Sequence, residues 1–278
     1  MDDPHASEPP LHCAARLGDV QEVARLVNEG ANIEARAFRQ DLTPLMVAAR
    51  STEAETKQVV EWLLTHGAKL RATSNSGRTA AWYAAGGQNY YDDRVLPDQV
   101  ERLRLLLNAG LDPEESAEDG QSLLWRACRA GDPARVRLLL ELGATASIRA
   151  DSGTRQSRAI PLFAAVESDS AECVQLLLDA GEDPTEATGD RDGQLDLPPD
   201  LQASLKREIP TTGGETALGS VASLEVARLL IAAGADVNAC DWYENVLGRA
   251  FDRAETEAAL GNPEAFAVAD VSGFPGKS

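Results

Sequence analysis

Two kinds of apolar run alternate along the chain and recur as a pair. A short Ala-rich run ends in Ala-Ala. After a polar turn comes a longer stretch in which Val and Leu return three and four residues apart, closed by Gly. Residues 9–31 (PPLHCAARLGDVQEVARLVNEGA) show the whole unit. It returns at 43–49 with 59–68, at 79–85 with 100–110, at 122–144, at 160–181 and at 216–239, and a partial copy, ENVLGRAF, stands at 244–251. In the fourth copy Val136, Leu139 and Leu140 make one apolar stripe at helical spacing, so each unit predicts a pair of amphipathic helices. Gly30, Gly67, Gly110, Gly143, Gly181 and Gly234 each follow such a stripe, where a helix ends at least cost in a left-handed residue.

These strings resemble the ankyrin repeat, whose pattern runs roughly G-x-T-P-L-H-x-A-A-x-x-G-x-x-x-V-V-x-L-L-L-x-x-G-A. The resemblance covers almost the whole chain. It implies an all-α solenoid of helix-turn-helix pairs with protruding β-hairpin fingers, about six full repeats plus a C-terminal cap, with residues 1–278 forming a single array. Each pair buries its face only against a neighbour, so stability accumulates along the stack. The glycine steps of 37, 43, 33, 38 and 53 residues depart from the family period of 33. Extra residues fall at 51–58, in an insert at 86–99, in a lengthened finger at 149–160, and in an acidic, Pro-bearing insert at 182–214. The sixth copy lacks Ala-Ala and is about three residues short, which predicts a curtailed first helix. Asn262 and Pro263 fit a helix start, so 264–270 reads as a closing helix and 271–278 as a loose tail.

Composition narrows the function. The chain has 278 residues, 43% of them apolar, and 45 Asp and Glu against 26 Lys and Arg, a formal net charge of −19. That excess disfavours a nucleic-acid partner, which is held by clustered Lys and Arg. No apolar run approaches a membrane span, and MDDPHASEPP does not read as a secretory signal. Cys13, Cys128, Cys173 and Cys240 are too spread for a disulfide framework or zinc cluster and occupy repeat slots, so a cytoplasmic location is expected.

Catalytic and ligand motifs fail on context. Gly276-Lys277-Ser278 would need Gly at Val271 and a following helix to make a phosphate loop. Asp190, Asp192 and Gly193 would need ligands at Thr188 and Pro199 to make a calcium loop. His5, His12 and His66 have no Cys or carboxylate at ligand spacing, and His12-Cys13 are helix neighbours on different faces, not a dyad. Neither a catalytic constellation nor a metal or cofactor site is expected.

What remains is a binding surface. The resemblance implies a concave groove made by finger tips and the exposed residues of each first helix. Carried position by position, the tips are Phe38, Arg39 and Leu42, then Asn75 and Arg78, then Glu118, Asp119 and Gln121, and last Trp242 and Tyr243. Arg50 and Arg129 follow Ala-Ala or its equivalent. Tyr90, Tyr91, Asp92 and Asp93 lie in the 86–99 insert. Trp82, Trp125 and Phe163 take the His position of the pattern and are expected to pack between fingers and helices. Exposed aromatics and Arg dominate interface energetics, so the expected partner is another protein. The acidic stretches at 111–119, 182–213 and 252–270 favour a basic one by steering. The first expectation is a non-catalytic scaffold or adaptor; the alternative is an inhibitor or immunity-type protein neutralising a basic enzyme or toxin, for example a nuclease. The sequence leaves the oligomeric state unspecified.

Overall fold

The computed structural model describes residues 8–53, 55–86, 97–118, 120–145, 160–185, 187–188 and 215–235. Its helices come in pairs: α1 (Pro10–Leu17) with α2 (Val20–Asn28), α3 (Pro44–Arg50) with α4 (Thr56–Thr65), α5 (Ala80–Gly86) with α6 (Pro97–Asn108), α7 (Leu123–Arg129) with α8 (Pro133–Glu141), and α9 (Pro161–Glu167) with α10 (Ala171–Asp179). The starts follow from the sequence. Thr43 Oγ1 accepts the Met46 amide at 3.3 Å, and Ser122 Oγ accepts the Trp125 amide at 3.1 Å. Pro10, Pro44 and Pro161 sit in the first turn, where a missing N–H costs no helical bond.

Each second helix ends by one device. Leu63, Leu106, Leu139 and Leu177 are fully buried, and each stands four residues before its glycine. The same leucines accept, through their carbonyls, the amides of Ala68, Leu111, Ala144 and Glu182 at 2.9 to 3.4 Å. That bond needs a left-handed residue between, supplied by Gly67, Gly110, Gly143 and Gly181 with φ of 91° to 110°. A Cβ at these glycines would meet nothing within 4 Å, so backbone conformation alone demands glycine there. Burying each leucine contributes about 2 kcal/mol.

The pairs stack in series. First helices pack α1 on α3, α3 on α5, α5 on α7 and α7 on α9, and second helices follow the same order. Buried Ala14, Ala15, Ala48, Ala49, Ala84 and Ala85 let the first helices approach closely. Met1–Glu182 forms one compact unit and Asp183–Ser278 a second. In the second, β1 (Ala187–Thr188) pairs antiparallel with β2 (Glu215–Thr216), so the chain on either side of residues 189–214 is joined by a two-residue ladder. The first helix of the sixth copy is reduced to a 3-10 turn, Leu218–Ser220, ahead of α11 (Leu224–Ala232). The suggested closing helix at 264–270 lies outside the described residues.

The implied hairpin fingers are narrower than strands. The first is a single bridge, Ala37 to Leu42, and the third a single bridge, Ser116 to Ser122. His12, fully buried on α1, bonds through Nε2 to the Leu42 carbonyl at 3.0 Å and so fixes the base of the first finger. Burial pushes the imidazole below its ordinary value, against the raising effect of the Leu42 and Ala35 carbonyls. The unfolded chain takes up this proton near its ordinary value, the folded chain only lower. The stabilisation is therefore full above about pH 6.5 and is lost as pH falls from there towards the folded value. Urea midpoints measured at about pH 7.5 and about pH 5.5 are expected to fall more for the native chain than for His12→Gln, which carries no titrating ring. Equal falls in the two would refute the assignment.

Candidate functional site

The tip of the first finger is a four-residue turn in which the Asp41 amide donates to the Phe38 carbonyl at 3.1 Å. Phe38 (φ 63°) and Asp41 (φ 58°) both take left-handed conformations, which are rare for phenylalanine. The Phe38 ring is held 44% exposed. It meets His12 edge to face at 5.8 Å between centroids, and the Arg50 guanidinium lies 5.5 Å from its centre. Arg50 Nη1 donates to Gln40 Oε1 at 3.1 Å, while Nε is shut off from water with no hydrogen-bond partner among the described residues. Burial draws the Arg50 guanidinium below its ordinary value.

The second finger is bonded to the first. The Asn75 amide donates to the Gln40 carbonyl at 3.1 Å, Asn75 Nδ2 to the Arg39 carbonyl at 2.7 Å, and Arg36 Nη1 to the Thr73 carbonyl at 2.6 Å. The Asn75 side chain therefore serves to join fingers. Arg78 and Arg126 both lie over the buried Trp82 ring, 3.9 and 4.8 Å from its centroid, and Tyr83 meets the same ring edge-on at 5.4 Å. In the third finger Glu118 is exposed, with its Cγ packed so near Gly77 that an added Cβ there would stand 2.5 Å away. Gln121 is half-buried. Arg129, at the end of α7, pairs with Glu167 at 3.5 Å.

Among the residues singled out in the sequence, Phe38, Arg39, Asn75 and Glu118 are exposed, and Arg50, Arg78, Gln121 and Arg129 are partly so. Leu42 is not a tip residue. It is fully buried at the finger base, exchanging two backbone bonds with Ala37, because the tip turn closes one residue before it. Tyr90, Tyr91, Asp92, Asp93, Asp119, Trp242 and Tyr243 lie outside the described residues. Trp82, Trp125 and Phe163 are buried, in keeping with their slot. Leu17, at the end of α1, adds a second exposed apolar side chain, 51% open. Among the described residues no group of three or more His, Cys, Asp and Glu is placed to hold a metal ion, and no helix is long and apolar enough to cross a membrane. Cys13, Cys128 and Cys173 are free thiols.

A family model described as ankyrin repeats (3 copies) matches residues 2–74 and 96–188, and a single-repeat model matches 213–242. The chain belongs to the ankyrin repeat family. Ankyrin repeats generally mediate protein–protein interaction, and proteins built from them are typically binding scaffolds without catalysis. Human transient receptor potential cation channel subfamily A member 1 is 27% identical over 176 residues, covering 62% of this chain and 14% of the channel. Ankyrin repeat and SOCS box protein 6 of Pongo abelii is 31% identical over 123 residues, 44% of this chain and 28% of its own length. The E3 ubiquitin-protein ligase KEG of Arabidopsis thaliana is 37% identical over 84 residues, 30% of this chain and 5% of the ligase. This ankyrin chain thus matches only a small part of each of these relatives.

The sequence did not announce the Trp82 stack. Arg126, next to Trp125 on α7, is buried and crosses to the neighbouring repeat, where Nη2 donates to the Gly86 carbonyl at 3.0 Å.

Proposed function

We propose that this ankyrin chain is a non-catalytic scaffold or adaptor whose partner protein docks on the face made by the finger tips and the ends of the first helices. One observation supports this above the others: Phe38 is presented at a finger tip in a left-handed turn, 44% exposed, between Arg39 and Arg50. An aromatic ring held in place by a rigid turn loses little entropy on binding and is the residue type on which interface energy concentrates. Free thiols at Cys13, Cys128 and Cys173 suit a reducing cytoplasm.

The net charge of −19 supports a second reading, an inhibitor or immunity-type protein that covers a basic enzyme. Affinity capture from native extract, washed at low and then high salt and read by mass spectrometry, separates the two. An inhibitor is expected to shed one basic protein, near stoichiometric, at high salt, and a scaffold to yield several partners or one that is not basic. Phe38→Ala is expected to weaken retention of a scaffold partner by tenfold or more, on the order of a 2 kcal/mol hot spot, while Arg25→Ala on α2 leaves it unchanged. Equal retention by the native chain and Phe38→Ala would sink the proposed docking face.

A further inference from the structure

We infer that the segment received by this face is acidic: an extended stretch of the partner whose carboxylates meet Arg39 and Arg50 beside the Phe38 ring. The inference rests on the docking face proposed above and names the chemistry of its occupant.

Charge on this face is mixed in the described residues, and what distinguishes its arginines is whether a carboxylate matches them. Exposed carboxylates at Glu29, Glu61, Glu141 and Glu172 stand on or at the end of second helices. The finger tips and first-helix ends carry Arg16, Arg39, Arg50, Arg78 and Arg129 together with exposed Asp41, Glu118 and Glu167, of which Asp41 pairs with Arg36 at 3.6 Å. Arg16 is matched by Glu8 at 3.0 Å and Arg129 by Glu167. Arg50 is not matched in this way. Its hydrogen-bond acceptor is the neutral amide oxygen of Gln40, and no carboxylate lies within ion-pair distance among the described residues.

Holding a guanidinium half out of water, with Nε unsatisfied, carries a desolvation penalty. What stands against it here is the neutral Gln40 acceptor, the Phe38 face and the field of Glu8, with no carboxylate bonded to it among the described residues. A guanidinium has five donors in a planar fork, and a carboxylate takes two of them in parallel. A carboxylate arriving here supplies the missing countercharge, with Phe38 as the apolar wall beside it and the exposed Arg39 guanidinium on the same finger. A basic segment would set like charges against Arg39 and Arg50. Net charge draws basic proteins to the molecule as a whole, whereas local charge on this face selects the opposite sign.

The test uses the full chain and a random twelve-residue peptide library displayed on phage. The expected result is enrichment of peptides carrying two or more carboxylates. Their affinity, read by fluorescence anisotropy of the labelled peptides, falls about tenfold in Arg50→Gln and in Arg39→Glu, weakens with added salt, and is unchanged in Arg25→Gln. Arg39 is exposed, so its variant reads the effect even if Arg50→Gln disturbs the finger, which a thermal melt of each variant reports. Neutral or basic peptides that lose affinity in Phe38→Ala but not in Arg50→Gln would overturn the acidic occupant and leave the docking face standing. Enriched peptides indifferent to Phe38→Ala, Arg39→Glu and Arg50→Gln would overturn both. An empty selection would overturn the acidic occupant.

Discussion

Arg102→Met is expected to lower stability by about 3 kcal/mol, whereas Arg104→Met on the same helix changes it by less than about 0.5 kcal/mol. Arg102 is fully buried on α6. Its Nη1 donates to the Ala48 carbonyl and its Nη2 to the Ser51 carbonyl, both at 2.7 Å. Those carbonyls close α3, and the last carbonyls of a helix have no partner within it. The guanidinium also meets the negative end of the α3 dipole. Methionine refills most of the volume, so the cavity contribution is small. It takes the guanidinium donor from the buried Ser51 carbonyl and leaves the Ala48 carbonyl with the Ser51 amide at 3.3 Å, at about 1–3 kcal/mol for an unmade buried bond, partly offset by removing a buried charge. Urea unfolding followed by circular dichroism measures the difference. A loss below about 1 kcal/mol would mean that water reaches these carbonyls and that Arg102 is not their closure. Because the bond joins the second repeat to the third, the weakened chain is also expected to unfold over a broader range, as coupling between neighbours falls.

The same device recurs. Arg135, 33 residues on and also buried, donates to the Ala85 carbonyl at 3.3 Å and to Gln99 Oε1, and pairs with Asp132 at 3.0 Å. Ser51 Oγ donates to the Arg16 carbonyl at 2.6 Å, and Ser168 Oγ to the Cys128 carbonyl at 2.9 Å. The ends of α1, α3, α5 and α7 are thus each closed by a side chain from a later repeat. These are the positions from which Arg16, Arg50 and Arg129 reach the docking face. Stitching the stack and presenting the face are therefore one structural act, and a face fixed in advance loses less entropy when a partner arrives.

This explains what could and could not be read in the sequence. The closing leucines and glycines were legible because one residue satisfies one local rule: a stripe position, or a left-handed turn. The fingers were legible as locations, but Leu42 reads as a tip residue because nothing in the string RQDL marks where a four-residue turn closes. Arg102 and Arg135 each stand in a Leu-rich helix two residues before another arginine, Arg104 or Arg137, that faces outwards. Only the neighbouring repeat decides which of each pair turns inwards. Arg50 follows the same logic. Its residue type suggested a contact, while the lack of a matching carboxylate depends on what the fold brings within reach.

Trp82 carries the second large effect. Trp82→Ala is expected to cost about 4 kcal/mol, the usual scale for deleting a buried indole, and Trp82→Phe no more than about 1 kcal/mol. The ring is 5% exposed and lies beneath Arg78 of the second finger and Arg126 of α7, so alanine removes the surface on which both guanidinium groups rest. Phenylalanine keeps an aromatic face there. It also removes the indole N–H, which is buried with no hydrogen-bond partner among the described residues, so the lost area is offset by a lost desolvation penalty. The two variants separate packing from polarity at a single position. Comparable losses in both would show that the N–H is satisfied and that the slot requires indole rather than an aromatic ring. If the stack instead behaves as described, Trp82→Ala should also weaken partner binding without touching the partner, because Arg78 and its finger lose their support, whereas Trp82→Phe should leave binding within about threefold of the native chain.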